Sequence, residues 1–181
     1  VTARAEGFAF LLAFALCIPA ANWLIGNFGT TCIPNGPCLI PVAPGITAPS
    51  GVLMIGLALV LRDLVQRRLG LAWAFGAILA GTALSATLAP PALVVASAGA
   101  FLLSEVADLA IYTPLQRRGL TLAVAASSAA GLVVDSLAFL WLAFGSLDFL
   151  AGQVIGKTWM VLAALPLIHW LRRRDARLGI A

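Results

Sequence analysis

The chain has 181 residues, 62% of them hydrophobic and only 10% charged, with a formal net charge of +4. A soluble domain carries about 25% charged residues, so an ordinary water-soluble fold is excluded. Ten of the eleven basic residues fall at the ends of apolar runs, which reads as topology and not as a nucleic-acid footprint.

Residues 7–61 contain no Asp, Glu, Lys, Arg or His. That far exceeds the roughly 20 apolar residues of one spanning helix. The expected fold class is all-α: a polytopic membrane protein with six transmembrane helices in one compact bundle, residues 1–181 forming one transmembrane domain. The first span covers about 7–26. Its basic flank and apolar core, VTARAEGFAFLLAFALCIPAANW, resemble a signal peptide. Leu16 precedes Cys17 where a lipoprotein signal needs a small residue, and the sequence stays apolar afterwards, so the segment reads as a retained helix with Cys17 buried. A Pro- and Gly-rich loop follows over about 27–50. Its Cys32 and Cys38 can form a disulfide if the loop faces an oxidising compartment.

The second span covers about 51–66 and ends in RDLVQRRLG. The third covers about 71–89 and stops at Pro90-Pro91. The fourth covers about 92–115 and ends in QRRG. The fifth covers about 120–145. After the loop GSLDFLAG the sixth covers about 153–171, and RRRDARLGIA closes the chain. With six spans, Arg4, Arg62, Arg67, Arg68, Arg117, Arg118, Arg172, Arg173, Arg174 and Arg177 all lie on one side, which places both termini in the cytoplasm. The acid and QRR shared by the second and fourth spans read as common loop composition, not as an inverted repeat.

Four ionisable residues fall inside spans: Glu105, Asp108, Asp135 and Lys157. Each costs about 2.5–3.5 kcal/mol at a helix centre on insertion scales. Mutual pairing could lock the bundle, but three acids face one lysine, so at least one acid must be neutral, wet or matched by a ligand. At about 1.5 Å rise per residue, Glu105 lies roughly 18 Å from Arg117, Asp135 roughly 25 Å from Arg118 and Lys157 roughly 22 Å from Arg172. Asp135 and Lys157 therefore share a depth and can pair. Glu105 and Asp108 share a helix face with Phe101 and Tyr112. Asp135 shares one with Ser128 and Phe139, and Gln153 lies four residues from Lys157.

Asn22 either caps the first helix or faces the bundle. Arg62 and Asp63 are an interfacial ion pair or a coupling or gating element. His169, Trp159 and Trp170 read as interfacial or lipid-facing. Paired carboxylate oxygens match two parallel N–H donors, such as the N1–H and 2-amino edge of a guanine-type ring. Lys157 would donate to a ring carbonyl, and aromatic rings would stack on the heterocycle. An amino acid, polyamine or metal ion also fits these groups, although no motif nominates a metal site or a cofactor.

Asn22-Trp23, RDLVQRRLG from 62, SEVADLAIYTPLQRR from 104, SSAAGLVVDSLAFLWLAFG from 127 and QVIGKTWM from 153 together resemble the VUT family of queuosine precursor transporters. The resemblance implies a six-span carrier in the bacterial inner membrane. Its substrate would be 7-cyano-7-deazaguanine or 7-aminomethyl-7-deazaguanine, its other partner the lipid bilayer, and a homodimer is compatible with it. Asn22, Asp63, Asp108, Asp135 and Lys157 fall on the family's recurrent polar positions. Glu105 departs from the Gln of some relatives, and the Cys32–Cys38 loop is longer than expected.

Two other classes compete. A substrate-binding subunit of an energy-coupling-factor type vitamin importer has a similar size, and the runs ALSATLAPPALVVASAGA and LAVAASSAAG would serve as docking patches. Alanine is common in any tight bundle. An enzyme is disfavoured, because the chain has no HExxH, GxSG or GxGD motif and its lone histidine sits near a span end.

Overall fold

The computed structural model describes residues 3–34, 36–89 and 91–179. Six α-helices run in the order α1 (Ala3–Asn27), α2 (Val52–Leu69), α3 (Leu71–Leu88), α4 (Val94–Leu115), α5 (Leu120–Phe144) and α6 (Leu150–Leu178). A short 3-10 turn, Pro91–Leu93, leads into α4. Pro90 of the expected stop lies outside the described residues. The chain turns from α2 to α3 through Gly70 alone, whose φ of 95° suits a residue without a Cβ.

Five helices, α1 and α3 to α6, are long and apolar enough to cross a bilayer. Their outward faces carry exposed Leu12, Trp23, Leu79, Val95, Trp141 and Trp159. So large an apolar surface matches a lipid surround, and the chain is a multi-pass membrane protein. The remaining helix, α2, is not among them because it carries four charged residues, Arg62, Asp63, Arg67 and Arg68. It is nevertheless the hub. Leu59, Val60 and Leu64 pack with α4, α5 and α6 around Tyr112, Leu132 and Ile168, while Ala58 and Leu61 pack with Phe14, Ile18, Ala77 and Phe101. Gly56 brings α2 close to α6, since a Cβ there would lie 2.6 Å from the Lys157 carbonyl oxygen.

Two expectations change. The 27–50 loop is largely a three-stranded antiparallel sheet, β1 (Thr31–Cys32), β2 (Cys38–Ala43) and β3 (Ile46–Pro49), so the fold is not purely helical. Pro44-Gly45 turns β2 into β3, and a Cys32–Cys38 disulfide clips β1 to β2. Four prolines among residues 34–44 hide these strands, because proline withholds a ladder donor. The sheet caps the N-terminal end of α6: Trp159 Nε1 donates to the Val42 carbonyl at 3.0 Å. The second change concerns RRRDARL, which continues α6 to Leu178 instead of forming a tail.

Candidate functional site

Near the sheet, the helices part around a small cleft. Its polar lining is Asn22, Ser85, Ser97, Asp135, Gln153 and Lys157, and its apolar lining includes Phe101 and Phe139. Lys157 is buried and spends all three ammonium protons. It donates to Asp135 Oδ2 at 2.5 Å, Gln153 Oε1 at 2.6 Å and Ser136 Oγ at 2.8 Å. Gln153 is placed by the four-residue spacing on α6. The second oxygen of Asp135 is held loosely, by Ser104 Oγ at 3.4 Å, so it remains able to accept. Asn22 does not cap α1, which runs on to Asn27. Its Nδ2 donates back to the Ile18 carbonyl at 3.0 Å, and Asn22 itself lines the cleft.

One turn beyond Phe101 on α4 lies a second polar centre, sealed from the cleft. Arg62 is fully buried and holds three carboxyls. Its Nη1 is 2.9 Å from Asp63 Oδ1, its Nε donates to Glu105 Oε2 at 3.1 Å, and its Nη2 donates to Asp108 Oδ1. Gln66 Oε1 accepts from Nη1 at 3.3 Å, and the Tyr112 ring lies 5.7 Å from the guanidinium carbon. Ser127 of α5 bonds Asp63 Oδ2 at 2.8 Å. A planar guanidinium with several N–H donors suits a group of acids better than an ammonium would.

The expected site residues therefore separate. Asn22, Phe101, Asp135, Phe139, Gln153 and Lys157 meet at the cleft. Glu105, Asp108 and Tyr112 do not line it; they surround Arg62. Nor is the Arg62–Asp63 pair interfacial, because both side chains are 0% exposed. Depth counting misplaced Arg62: α2 extends to Leu69, so Arg62 sits about 10 Å inside the helix end. The separation of Arg62 from Arg67 and Arg68 by the apolar Leu64 and Val65 is the sequence signal for this. Ser104, Ser127 and Ser136 were also missed, since isolated serines in apolar helices have no distinguishing pattern.

At the far end, α1, α2 and α6 are tied together. Asp175 receives Arg67 at 2.9 Å and Arg68 at 2.8 Å, and Glu6 receives both nitrogens of the Arg174 fork at 2.5 and 2.6 Å. Burial pushes the Asp175 carboxyl up, but the Arg68 and Arg67 hydrogen bonds bring it below the usual range. The Arg174 hydrogen bond likewise holds Glu6 low.

The bundle thus holds a buried carboxylate–lysine pair at a cleft and a buried arginine behind it. Residues 84–171 match the family model described as "putative vitamin uptake transporter". This stretch, just under half of the chain, is similar to that transporter family. It spans α4, α5 and most of α6, so the VUT-family match contains Glu105, Asp108, Asp135 and Lys157 but not Arg62. Neither the curated proteins nor the solved structures give a match for the chain.

Proposed function

We propose that the chain imports a 7-deazaguanine, 7-cyano-7-deazaguanine or its aminomethyl relative, across a bacterial inner membrane, and that the cleft is the substrate site. The observation that carries this reading is Asp135. Asp135 lines the cleft with Phe101, Phe139, Gln153 and Lys157, and its Oδ1 is held by a long 3.4 Å contact from Ser104 Oγ. A guanine-type donor edge would meet Asp135, with Asn22 and Gln153 supplying the remaining polar contacts and the phenyl rings bounding the ring faces.

Transport of this kind uses α2 as a sixth span. Its 18 residues reach about 27 Å, close to the hydrocarbon thickness. The charges that lower its hydropathy point into the protein, as intramembrane charges do. Six spans gather the arginines other than Arg62 at one end, with both termini cytoplasmic. The cleft and the disulfide-clipped sheet then face outward, where a disulfide persists.

The vitamin-subunit alternative keeps a small-residue face. In LAVAASSAAG, Ala123, Ser127, Ser128 and Gly131 are buried within the bundle, while Ala125 and Ala129 are exposed.

Equilibrium binding of 7-cyano-7-deazaguanine, 7-aminomethyl-7-deazaguanine and guanine to purified protein tests the reading. Saturable binding that Asp135→Asn weakens by at least tenfold is expected. Absence of binding to every deazaguanine by folded protein sinks the substrate assignment, and co-purification with an ATPase module would transfer it to the vitamin-importer class.

A further inference from the structure

We infer that the Arg62 cluster is a proton site, loaded and emptied once per transport cycle, with Asp63 and Asp108 as its carriers. This rests on the transport reading above and adds its energy source.

Charge comes first. The sealed cluster holds one cation, Arg62, against three carboxyls, Asp63, Glu105 and Asp108, all at most 1% exposed. Fully ionised, it would carry a net charge of −2. Lys157 offers no relief, because its three protons go to Asp135, Ser136 and Gln153. Like charges sharing a dry site do not stay ionised together.

Geometry identifies where a proton belongs. The Asp63 and Asp108 carboxyls share one guanidinium, Asp63 Oδ1 lying 2.9 Å from Arg62 Nη1 and Asp108 Oδ1 accepting from Arg62 Nη2. Asp108 Oδ2 has no regular hydrogen-bond partner among the described residues. Ser127 has a single hydroxyl proton yet faces both Asp63 Oδ2 at 2.8 Å and the Val124 carbonyl at 3.3 Å. A protonated Asp63 satisfies both contacts. A metal cation is a poor alternative, since the Arg62 guanidinium already occupies the centre of the acids.

α2 contributes Arg62, Asp63 and Gln66; α4 contributes Glu105, Asp108 and Tyr112. α1 brings the Cys17 thiol near Glu105. α5 brings Ser127 and, nearer the cleft, Asp135, which is tied to Lys157 of α6. α3 carries no charged residue.

Polar side chains lie to either side of the site. Towards the cleft, Ser104 Oγ meets Asp135 Oδ1 at 3.4 Å and donates to the Phe101 carbonyl at 3.0 Å. Towards the basic end, Gln66 links Arg62 to Thr113, with Nε2 donating to Oγ1 at 3.1 Å. A proton from the cleft side forms an O–H bond on the Asp63–Asp108 pair, and that bond breaks to water on the basic side. Nothing is oxidised or reduced.

Infrared spectroscopy of purified protein at neutral pH reads the site directly. A protonated-carboxyl stretch that Asp63→Asn and Asp108→Asn each diminish is expected, and its absence overturns the proposal whether or not any ligand binds. Proteoliposomes then read coupling. With one proton per substrate, a gradient of one pH unit supports about tenfold accumulation of 7-cyano-7-deazaguanine. Asp63→Asn, which mimics the protonated acid, should bind the compound yet accumulate none. Wild-type accumulation that ignores the gradient, with binding intact, overturns the coupling. Failure of every deazaguanine to bind sinks the substrate reading and leaves the infrared result to decide the proton site.

Discussion

Two buried cations lie in neighbouring parts of this bundle and are used differently. Lys157 meets one acid, Asp135, and two neutral acceptors, and the group opens on a cleft. Arg62 meets three acids and is sealed. A balanced pair at a cavity wall can exchange a protein contact for a ligand contact with no change of net charge. An unbalanced cluster in a dry interior can only adjust its protons. Both are fully buried in an apolar protein, so the ratio of acids to cations, and not burial itself, separates solute chemistry from proton chemistry.

The strongest way to break this contrast is to remove Arg62. Arg62→Gln leaves three carboxyls without their cation, and loss of one partner of a buried pair costs about 3–5 kcal/mol. The expected outcome is a large fall in thermal stability in detergent or a loss of folded yield. Arg62→Lys should recover only part of it, because an ammonium lacks the planar fork. A variant as stable as wild type would show that the cluster does not organise the fold.

Lys157→Met comes next. Asp135 can take a proton and still reach the cleft, so the stability loss should be smaller, about 2–3 kcal/mol. The double variant Lys157→Met with Asp135→Leu should regain much of it, because a matched apolar pair replaces the ion pair. Neither variant should bind a deazaguanine. Thermal shift and equilibrium binding together check both halves of the prediction.

How far the sequence could reveal this contrast depended on what each residue needed from its neighbours. Helices α3 to α5 were legible within a few residues, since long apolar runs bounded at one end by arginines have one reading in a bilayer. Pairing of Asp135 with Lys157 was legible from equal depth alone. The Arg62 cluster was not, because it depends on the rotation of α2 against α4, which no one-dimensional count contains. Arg62 looked interfacial only while α2 was taken to end near Gln66. The sheet was obscured by prolines that ordinarily argue against strands.

The disulfide sharpens the comparison from the cleft side. Cys32 and Cys38 clip the sheet that caps α6 beside the cleft, whereas nothing in the sheet touches Arg62. Closing so short a loop is worth about 2 kcal/mol on the chain-entropy account. Reduction, or Cys32→Ser with Cys38→Ser, should lower the melting temperature and weaken ligand binding while leaving the infrared carboxyl signal in place. After reduction, an impermeant thiol reagent should label both cysteines from outside whole cells. Labelling only from the cytoplasmic face would invert the proposed orientation.

The smallest effect comes from the cluster at the basic end, where acids are ionised and water is near. There the carboxyls of Glu6 and Asp175 sit below their usual range. A depressed carboxyl adds stability that is complete above its unfolded value, near 3.9 for aspartate, and is lost as pH falls through the folded value. Asp175→Asn should therefore cost roughly 1 kcal/mol at pH 7. That deficit should persist to about pH 4 and shrink below it, as the wild-type carboxyl also takes up its proton. Asp63→Asn should behave in the opposite way, with little deficit at neutral pH, because asparagine imitates the acid already protonated beside Arg62. Melting temperatures of the two variants and wild type between pH 7 and pH 3 decide the matter. Equal deficits at pH 7 would place ionised acids in both clusters and remove the distinction between a sealed proton site and a wet ionic tie.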